Sequence, residues 1–226
     1  MSTTRTSVLV LGASGRTGRL LVSEALNRSI EVTVLVRKAA SFEQTQGLTI
    51  VEGTPLELSD LRRAAKAAQS PISAIVSTLG QTRKSGSPWA APTSPPRFMA
   101  DATVHAVTVA KENSIPKIVV MSLFGVGESF KNNNFLMRWI FNNSAMDQTI
   151  ADGNAVDGVV KTSGLRFVLV RSCALMGDKV TAVKELGDEG ELAGFMPSIS
   201  APTVARFLLD AVESSEWDGR TPVISA

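Results

Sequence analysis

The stretch SVLVLGASGRTG, residues 7–18, decides the fold. It begins with the apolar run Ser7–Leu11, typical of a buried strand, and continues with three glycines at GxxGxxG spacing. Gly12 allows a sharp turn out of the strand, Gly15 lets the backbone approach a pyrophosphate, and Gly18 permits close packing of a helix. That helix would offer unpaired N–H groups and the positive end of its dipole to phosphates. We therefore expect a phosphate-binding loop, with a plain tight turn as the alternative.

Beyond this stretch, short runs rich in Val, Ile and Leu alternate with longer amphipathic segments. This alternation predicts an α/β fold with a doubly wound parallel sheet and helices on both faces. Strands buried on both faces should be hydrophobic throughout, as EVTVLV, KIVVMS and RFVLVR nearly are. The predicted strands are Ser7–Leu11, Glu31–Val36, Leu48–Glu52, Ala74–Thr78, Lys117–Ser122 and Arg166–Val170. The predicted helices are Arg16–Asn27, Leu58–Ala68, Arg97–Asn113, Met146–Ser163 and Thr203–Ser214.

Composition limits the class of protein. With 226 residues, 44% hydrophobic and 19% charged, the chain can bury one sizeable core, so we expect a single domain over 1–226 that is a monomer or a homodimer. The net charge of +2 is small and its basic residues are scattered, which does not favour nucleic acid. No apolar stretch approaches the ~20 residues that a membrane span needs, and MSTTRTS lacks the apolar centre of a secretory signal. Cys173 is the only cysteine, which excludes internal disulfides and a cysteine-built metal site and favours the reducing cytoplasm.

The end of the second predicted strand carries two cations. Arg37 and Lys38 follow VLV at the place, roughly 20 residues past the glycines, where an acidic residue would bind the ribose hydroxyls of NAD. A cation there would instead bind a 2′-phosphate, and Arg37 is the stronger candidate. The pattern predicts NADP(H), unless one or both side chains are solvated surface charges.

Six segments together resemble a known family: VLGASGRTG, EVTVLVR, AIVSTLG, KIVVMSLFGVGES, SGLRFVLVR and SISAPTVARFLLD. They are similar to the atypical short-chain dehydrogenases, in particular to the NmrA-like and biliverdin reductase B (flavin reductase) branch with its Rossmann-type fold. The resemblance implies that Arg37 binds the 2′-phosphate and that Ser122 and Leu123 approach the nicotinamide. It also implies two groups of cofactor contacts: Gly12, Ser14, Gly15, Arg16 and Thr17 at the phosphates, and Ser77, Thr78, Leu79 and Gly80 beyond the fourth strand. Gly18, the packing glycine of the loop, is counted among the cofactor-binding residues.

The sequence departs from that family at the proton donor. Short-chain dehydrogenases use a Tyr paired with a Lys three residues later, but this chain has no tyrosine, and Lys161 lies at the far end of its helix. In the relatives this helix carries a His or an acidic residue at the position matching Asp157, which would be catalytic or, as the commoner case, a solvated carboxylate. His105, the only histidine, has the helical spacing of a packed face.

The substrate side of the cleft is expected in segments 81–96, 125–145 and 172–202, which follow strand ends where an open α/β sheet binds its ligands. Ser122 could hydrogen-bond the substrate, or it could instead cap the backbone. Segment 125–144 combines a poor helix-forming KNNN with an aromatic cluster, which predicts a mobile apolar cover, although such stripes are commonly core. The candidate substrate contacts are Trp89, Phe124, Trp139 and Cys173, the last being a packing residue in the alternative interpretation.

Three functions fit these observations. The first is an NADPH-dependent reductase of a flat, apolar acceptor that draws its proton from water and so needs no positioned acid. The second is a non-redox isomerase or cyclase of a hydrophobic metabolite that uses bound NADP(H) structurally, which the missing Tyr and Lys favour. The third is an NmrA-like redox-sensing regulatory protein.

Overall fold

The structure is a computed structural model that describes residues 6–226, so nearly all of MSTTRTS lies outside it. Its centre is an eight-stranded sheet in the order β3-β2-β1-β4-β5-β6-β10-β8, in which β8 alone runs antiparallel to its neighbour, while β7 and β9 form a separate parallel pair. The strands are β1 (Ser7–Leu11), β2 (Glu31–Val36), β3 (Leu48–Glu52), β4 (Ala74–Ser77), β5 (Lys117–Leu123), β6 (Arg166–Ser172), β7 (Ala174–Leu175), β8 (Lys184–Glu185), β9 (Ser198–Ile199) and β10 (Val223–Ser225). The helices are α1 (Arg16–Asn27), α2 (Leu58–Ala67), α3 (Phe98–Glu112), α4 (Phe135–Asn142), α5 (Met146–Lys161) and α6 (Ala201–Glu213).

The sheet has a hydrophobic core on each face, which explains why its central strands are apolar throughout. Successive side chains of a strand point to opposite faces. In β1, Val8 and Val10 belong to the core under α1 and α6, while Leu9 and Leu11 belong to the core under α2, α3 and α5. The predicted doubly wound sheet is therefore confirmed.

The predicted elements match the observed ones to within about two residues at their ends, and three strands and one helix match fully. The elements that the sequence did not predict are the two- and three-residue strands β7–β10 and the helix α4. Strands this short contain too few residues to show an alternating pattern, and they form because neighbouring backbone is already in place. Helix α4 lies within the segment that was predicted to be a cover.

The strand order also locates the ligand cleft. Chain connections run outward from β1 through β2 to β3, and then return to β4 on the other side of β1. This reversal opens a crevice at the carboxyl ends of β1 and β4, which is where open α/β sheets bind ligands. Across residues 6–226, no helix is long and apolar enough to cross a membrane.

Candidate active site

The glycine loop is shaped by two close backbone contacts. Gly12 has a φ of 79°, and a Cβ placed on it would lie 2.8 Å from the carbonyl carbon of Thr78. A Cβ on Gly18 would collide with the carbonyl oxygen of Gly12. The loop thus requires glycine at both positions, as the motif predicted. Thr78 completes the contact, since its backbone N–H and its hydroxyl both donate to the carbonyl oxygen of Leu11, at 2.9 and 3.1 Å.

The amino terminus of α1 is left open for an anion. Gly15 is its first flanking residue, and no side chain of the described chain caps it. Its first turn, RTGR, contains no acidic residue. The unpaired N–H groups and the positive end of the helix dipole therefore face the cleft together with the exposed side chain of Ser14. The side chain of Arg16 reaches the segment after β7, where its Nη2 donates to the carbonyl oxygen of Gly177 at 3.0 Å.

Two adjoining cavities occupy the cleft. The larger has a volume of about 480 Å³, lies at the ends of β4, β5 and β6, and falls within the size range of small-molecule sites. The smaller, of about 220 Å³, extends past the glycine loop to the end of β2. Both cavities are lined by Gly15, Thr78, Leu79, Gly80 and Thr82. The larger is also lined by Arg16, Thr17, Ser77, Ser122, Leu123 and Cys173, and the smaller by Gly12, Ser14 and Arg37.

The structure thus brings most of the predicted cofactor residues together along one cleft. Arg37 is exposed and lines the smaller cavity together with Thr54 and Pro55. Lys38 is exposed as well, but it does not line either cavity. Of the two predicted cations, Arg37 is therefore the one placed to contact a nucleotide.

Ser122 presents a free hydroxyl to the larger cavity. Its carbonyl oxygen accepts a hydrogen bond of 3.2 Å from the hydroxyl of Ser172 on the neighbouring strand β6. Within residues 6–226 the Ser122 hydroxyl itself makes no hydrogen bond, so it does not cap the strand end. It is available to a ligand.

Cys173 also lines the larger cavity, where it is almost fully buried. Burial disfavours the charged thiolate and raises the pKa of the Cys173 thiol to about 12. The thiol is therefore protonated near neutral pH and contributes shape rather than a nucleophile.

Asp157 differs from both interpretations of the sequence, because it is neither solvated nor among the residues lining the cavities. It is 4% exposed, and its Oδ2 accepts a hydrogen bond of 2.6 Å from Nη2 of Arg171, a side chain on β6 that is fully buried. The same Nη2 donates to Oε2 of Glu128 at 2.8 Å, and Nη1 donates to the carbonyl oxygen of Asp188 at 3.0 Å. Arg171 thereby joins α5 to two of the three predicted substrate-side segments, 125–145 and 172–202.

Lys161 belongs to the same network. Its Nζ lies 2.9 Å from Glu128 and 3.4 Å from Asp157. Hydrogen bonds from Arg171, and then from Lys161, lower the pKa of Glu128 to about 2. Since this pKa lies below its ordinary value, the stabilisation is present above pH ~4.5 and is lost as the pH falls towards 2.

The sequence did not identify a group of polar residues on α5 and after β4. Asp152 is 2% exposed and accepts hydrogen bonds from the side chain of Gln81 (2.6 Å) and from the backbone N–H groups of Met99 and Ala100 (both 2.9 Å). It thus caps the amino terminus of α3 from a different helix. Gln81 and Arg83 line the larger cavity. The available signal was that QTR begins four residues after the end of β4 at Ser77.

The predicted aromatic contacts lie away from the cavity lining. Trp89 and Trp139 are 57% and 55% exposed, and Phe124 is buried in the core, where it packs against Gly190. None of the three lines either cavity, so their contact with substrate stays a prediction that this geometry does not support.

The segment predicted to cover the cleft is partly core. Phe141 on α4 is buried and forms a small cluster with Val126 and Ile150, against which Phe130 packs. The expectation that the whole segment stays outside the core is therefore wrong at Phe141. Val126 also lines the larger cavity, so this anchored part, rather than Trp139, forms its wall.

His105 is placed as the helical spacing predicted. Its Nδ1 lies 3.0 Å from the carbonyl oxygen of Pro55, and it does not line the cavities. A role in catalysis has no support from this position.

Comparison with known sequences agrees with this geometry. Residues 12–215 match the profile of an NAD(P)H-binding family, and the matched range starts at the first glycine of the loop. The chain belongs to this NAD(P)H-binding family. The resemblance to an NAD(P)-binding family that the sequence motifs indicated is thereby confirmed.

Solved structures show the same fold at low sequence identity. The anaerobillin reductase ChuY from Escherichia coli O157:H7 is 17% identical, with 97% of each chain covered and a TM-score of 0.78. The oxidoreductase ylbE from Lactococcus lactis is 15% identical, covering 97% of this chain and 90% of that one, with a TM-score of 0.75. A short-chain dehydrogenase/reductase from Veillonella parvula, solved in complex with NADP, is 14% identical, covering 98% and 94%, with a TM-score of 0.75.

The cleft fits the dinucleotide that binds to this NAD(P)H-binding family. The glycine loop has no room for a Cβ at Gly12 or Gly18, so the backbone can lie against a pyrophosphate. The uncapped end of α1 supplies the donors for the phosphates. Arg37 stands at the far end of the same groove.

Proposed function

We propose that the protein is an NADP(H)-dependent oxidoreductase that reduces a flat, apolar organic acceptor without a Tyr–Lys pair. The observation that carries this proposal is the apolar cavity at the ends of β4, β5 and β6, directly beside the glycine loop. Its lining includes nine Leu, Val and Met side chains, which suit a planar hydrophobic molecule. That a protein of similar fold is named an anaerobillin reductase supports reduction as the reaction.

Selection of NADP(H) over NAD(H) is assigned to Arg37. It is exposed and lines the smaller cavity, where its guanidinium can form charge-assisted hydrogen bonds with a 2′-phosphate. Such a contact contributes about 1.5–3 kcal/mol, which corresponds to roughly a ten- to hundredfold preference.

The reduced cofactor supplies the hydride, and the acceptor takes its proton from water. The chain's own residues bind and orient the acceptor: Leu123 and Val126 exclude water from one side, and the free hydroxyl of Ser122 donates a hydrogen bond to an acceptor oxygen. No Asp, Glu, Lys or His of residues 6–226 lines the larger cavity, which suits an acceptor that needs no positioned acid.

The test is oxidation of NADPH, followed by absorbance, with a series of quinones of increasing reduction potential and with free flavin. We expect turnover that rises with acceptor potential, and a loss of about two- to tenfold in kcat/KM for Ser122→Ala, the value of one hydrogen bond. Ser23→Ala, which removes an exposed hydroxyl of α1 that lines neither cavity, is the matched control.

Tight NADP(H) binding without oxidation by any acceptor in the series would contradict a redox function. It would favour a non-redox isomerase or cyclase, which the absence of tyrosine from the chain also fits.

A further inference from the structure

The larger cavity carries an excess of positive charge. Of the described residues that line it, Arg16 and Arg83 are the charged ones, and none is acidic. Arg16 belongs to the glycine loop and donates to the carbonyl oxygen of Gly177. Arg83 lies instead on the segment after β4, so its charge is not explained by the phosphate loop.

Within residues 6–226, the hydrogen-bond partners of the Arg83 side chain are uncharged. Its Nη1 lies 2.9 Å from the sulfur of Met146 and 3.4 Å from the hydroxyl of Thr149, both on α5. Its Nε is buried and has no hydrogen-bond partner in residues 6–226, and no carboxylate of that range lies within ion-pair distance. Arg83 is half-buried, and a guanidinium whose Nε is buried without a partner gains a counter-charge when an anionic ligand binds.

The acidic residue on the same side of α5 already has other hydrogen-bond partners. Asp152, one turn after Thr149, accepts hydrogen bonds from Gln81, Met99 and Ala100 through both of its oxygens. It is therefore held at the amino terminus of α3 and does not neutralise Arg83.

The backbone around Arg83 is ordered rather than loose. Segment 81–96 forms a narrow ribbon in which Thr93 donates to the carbonyl oxygen of Thr82 at 2.7 Å and Lys84 donates to that of Ala91 at 3.0 Å. Adjacent side chains of an extended ribbon point to opposite sides. Arg83 accordingly faces the cavity, while Lys84 faces solvent.

We propose that Arg83 binds a carboxylate of the substrate, so that the acceptor is a flat apolar molecule carrying an acid group. This rests on the proposed function for the place of the substrate. A planar guanidinium matches a carboxylate in a two-pronged hydrogen bond. The substrate is favoured over a cofactor phosphate as the source of the anion, because the guanidinium of Arg83 contacts Met146 and Thr149 on α5, whereas the phosphate-binding residues of the same cavity lie on the loop after β1.

The experiment compares 2-naphthoate with its methyl ester as binding probes. Calorimetric titration into protein saturated with NADP⁺ requires no turnover, so its result is independent of whether the protein reduces anything. We expect 2-naphthoate to bind at least about tenfold more tightly than the ester, as a charge-assisted hydrogen bond would give. In Arg83→Met this ratio should fall to near one, whereas in the control Lys84→Met it should stay as in the wild type.

A second variant covers the case in which Arg83→Met does not fold, as judged by its melting temperature. Arg83→Lys keeps the charge but lacks the planar fork, and should lower the ratio by about threefold or more. An unchanged ratio in the folded variant would overturn the proposal.

Three other results would also overturn it: equal affinities of the two probes for the wild type, no measurable binding of 2-naphthoate, or a weaker NADP⁺ affinity in Arg83→Met with the probe ratio unchanged. The last would show that Arg83 serves a cofactor phosphate. Absence of NADPH oxidation alone would instead refute the proposed redox function and leave the carboxylate site in place.

Discussion

The two halves of the cleft are built in different ways. The half at β1, β2 and β4 is made of backbone: a glycine loop, an uncapped helix end and a strand end, with Gly12, Gly15 and Gly18 close in sequence. The half at β5, β6 and α5 is held by side chains far apart in sequence, with Arg171 joining Asp157, Glu128 and the backbone of Asp188. The first half is a local motif, and the second is a tertiary assembly.

Because of this difference, removing a side chain should affect the free energy of unfolding differently in the two halves. At the nucleotide end most binding groups belong to the backbone, and the side chain of Arg37 is exposed. Removing that side chain should therefore not lower the free energy of unfolding. Removing the buried cation of the substrate half should lower it, because its carboxylate partners would be left without a counter-charge.

The largest expected effect is that of Arg171→Met. It leaves the buried carboxylate of Asp157 without its closest partner, and should lower the free energy of unfolding by about 3–5 kcal/mol. Urea denaturation measures this loss. The double variant Arg171→Met/Asp157→Asn should recover a large part of it, since both charges are then gone. A single variant as stable as the wild type would contradict the tertiary origin of this half.

Asp157→Asn tests whether the half of the cleft held by Arg171 supplies a catalytic acid. Because Asp157 lies outside the cavity lining, the variant should reduce kcat by less than about tenfold, whereas loss of a positioned acid costs about 10²–10⁴. Acceptor reduction at saturating NADPH measures it. A collapse of the larger size in a folded variant would assign Asp157 a catalytic role.

The next effect contrasts two aromatic residues of α4. Phe141→Ala removes a side chain from the cluster with Val126 and Ile150, and should destabilise the fold by about 3–5 kcal/mol. Trp139→Ala removes a side chain that is more than half exposed, and should change stability by less than about 1 kcal/mol and leave NADP(H) affinity unchanged. Thermal melting of the pair measures both. Equal losses would show that α4 is buried throughout.

In the other half of the cleft, the expected effect is on cofactor preference rather than on stability. Arg37→Ala should reduce the preference for NADP(H) over NAD(H) by about tenfold, or ~1.4 kcal/mol, with the melting temperature nearly unchanged because the side chain is exposed. Titration of both cofactors measures it, with Lys38→Ala as the matched control that should have a smaller effect. Equal affinities for both cofactors in the wild type would contradict the role of Arg37.

The sequence was informative wherever one element carries its own signal. Nearly continuous apolar runs such as EVTVLV predict strands buried on both faces, and their number and spacing predict the doubly wound sheet. Within the site, Gly12, Gly18 and Arg37 were predicted because the turn, the helix packing and the strand end that require them are all local.

The sequence by itself thus determined the sheet, the glycine loop and the nucleotide end of the cleft, because each depends on residues adjacent along the chain. Only the tertiary structure decided which side chains meet at the other end. The burial of Asp157 depends on its pairing with Arg171, which lies on another element. Within residues 6–226, Arg83 lacks a counter-charge because Asp152 of α5 caps α3 instead. Pairing of charges across elements is fixed by packing, and no periodicity of the sequence reports it.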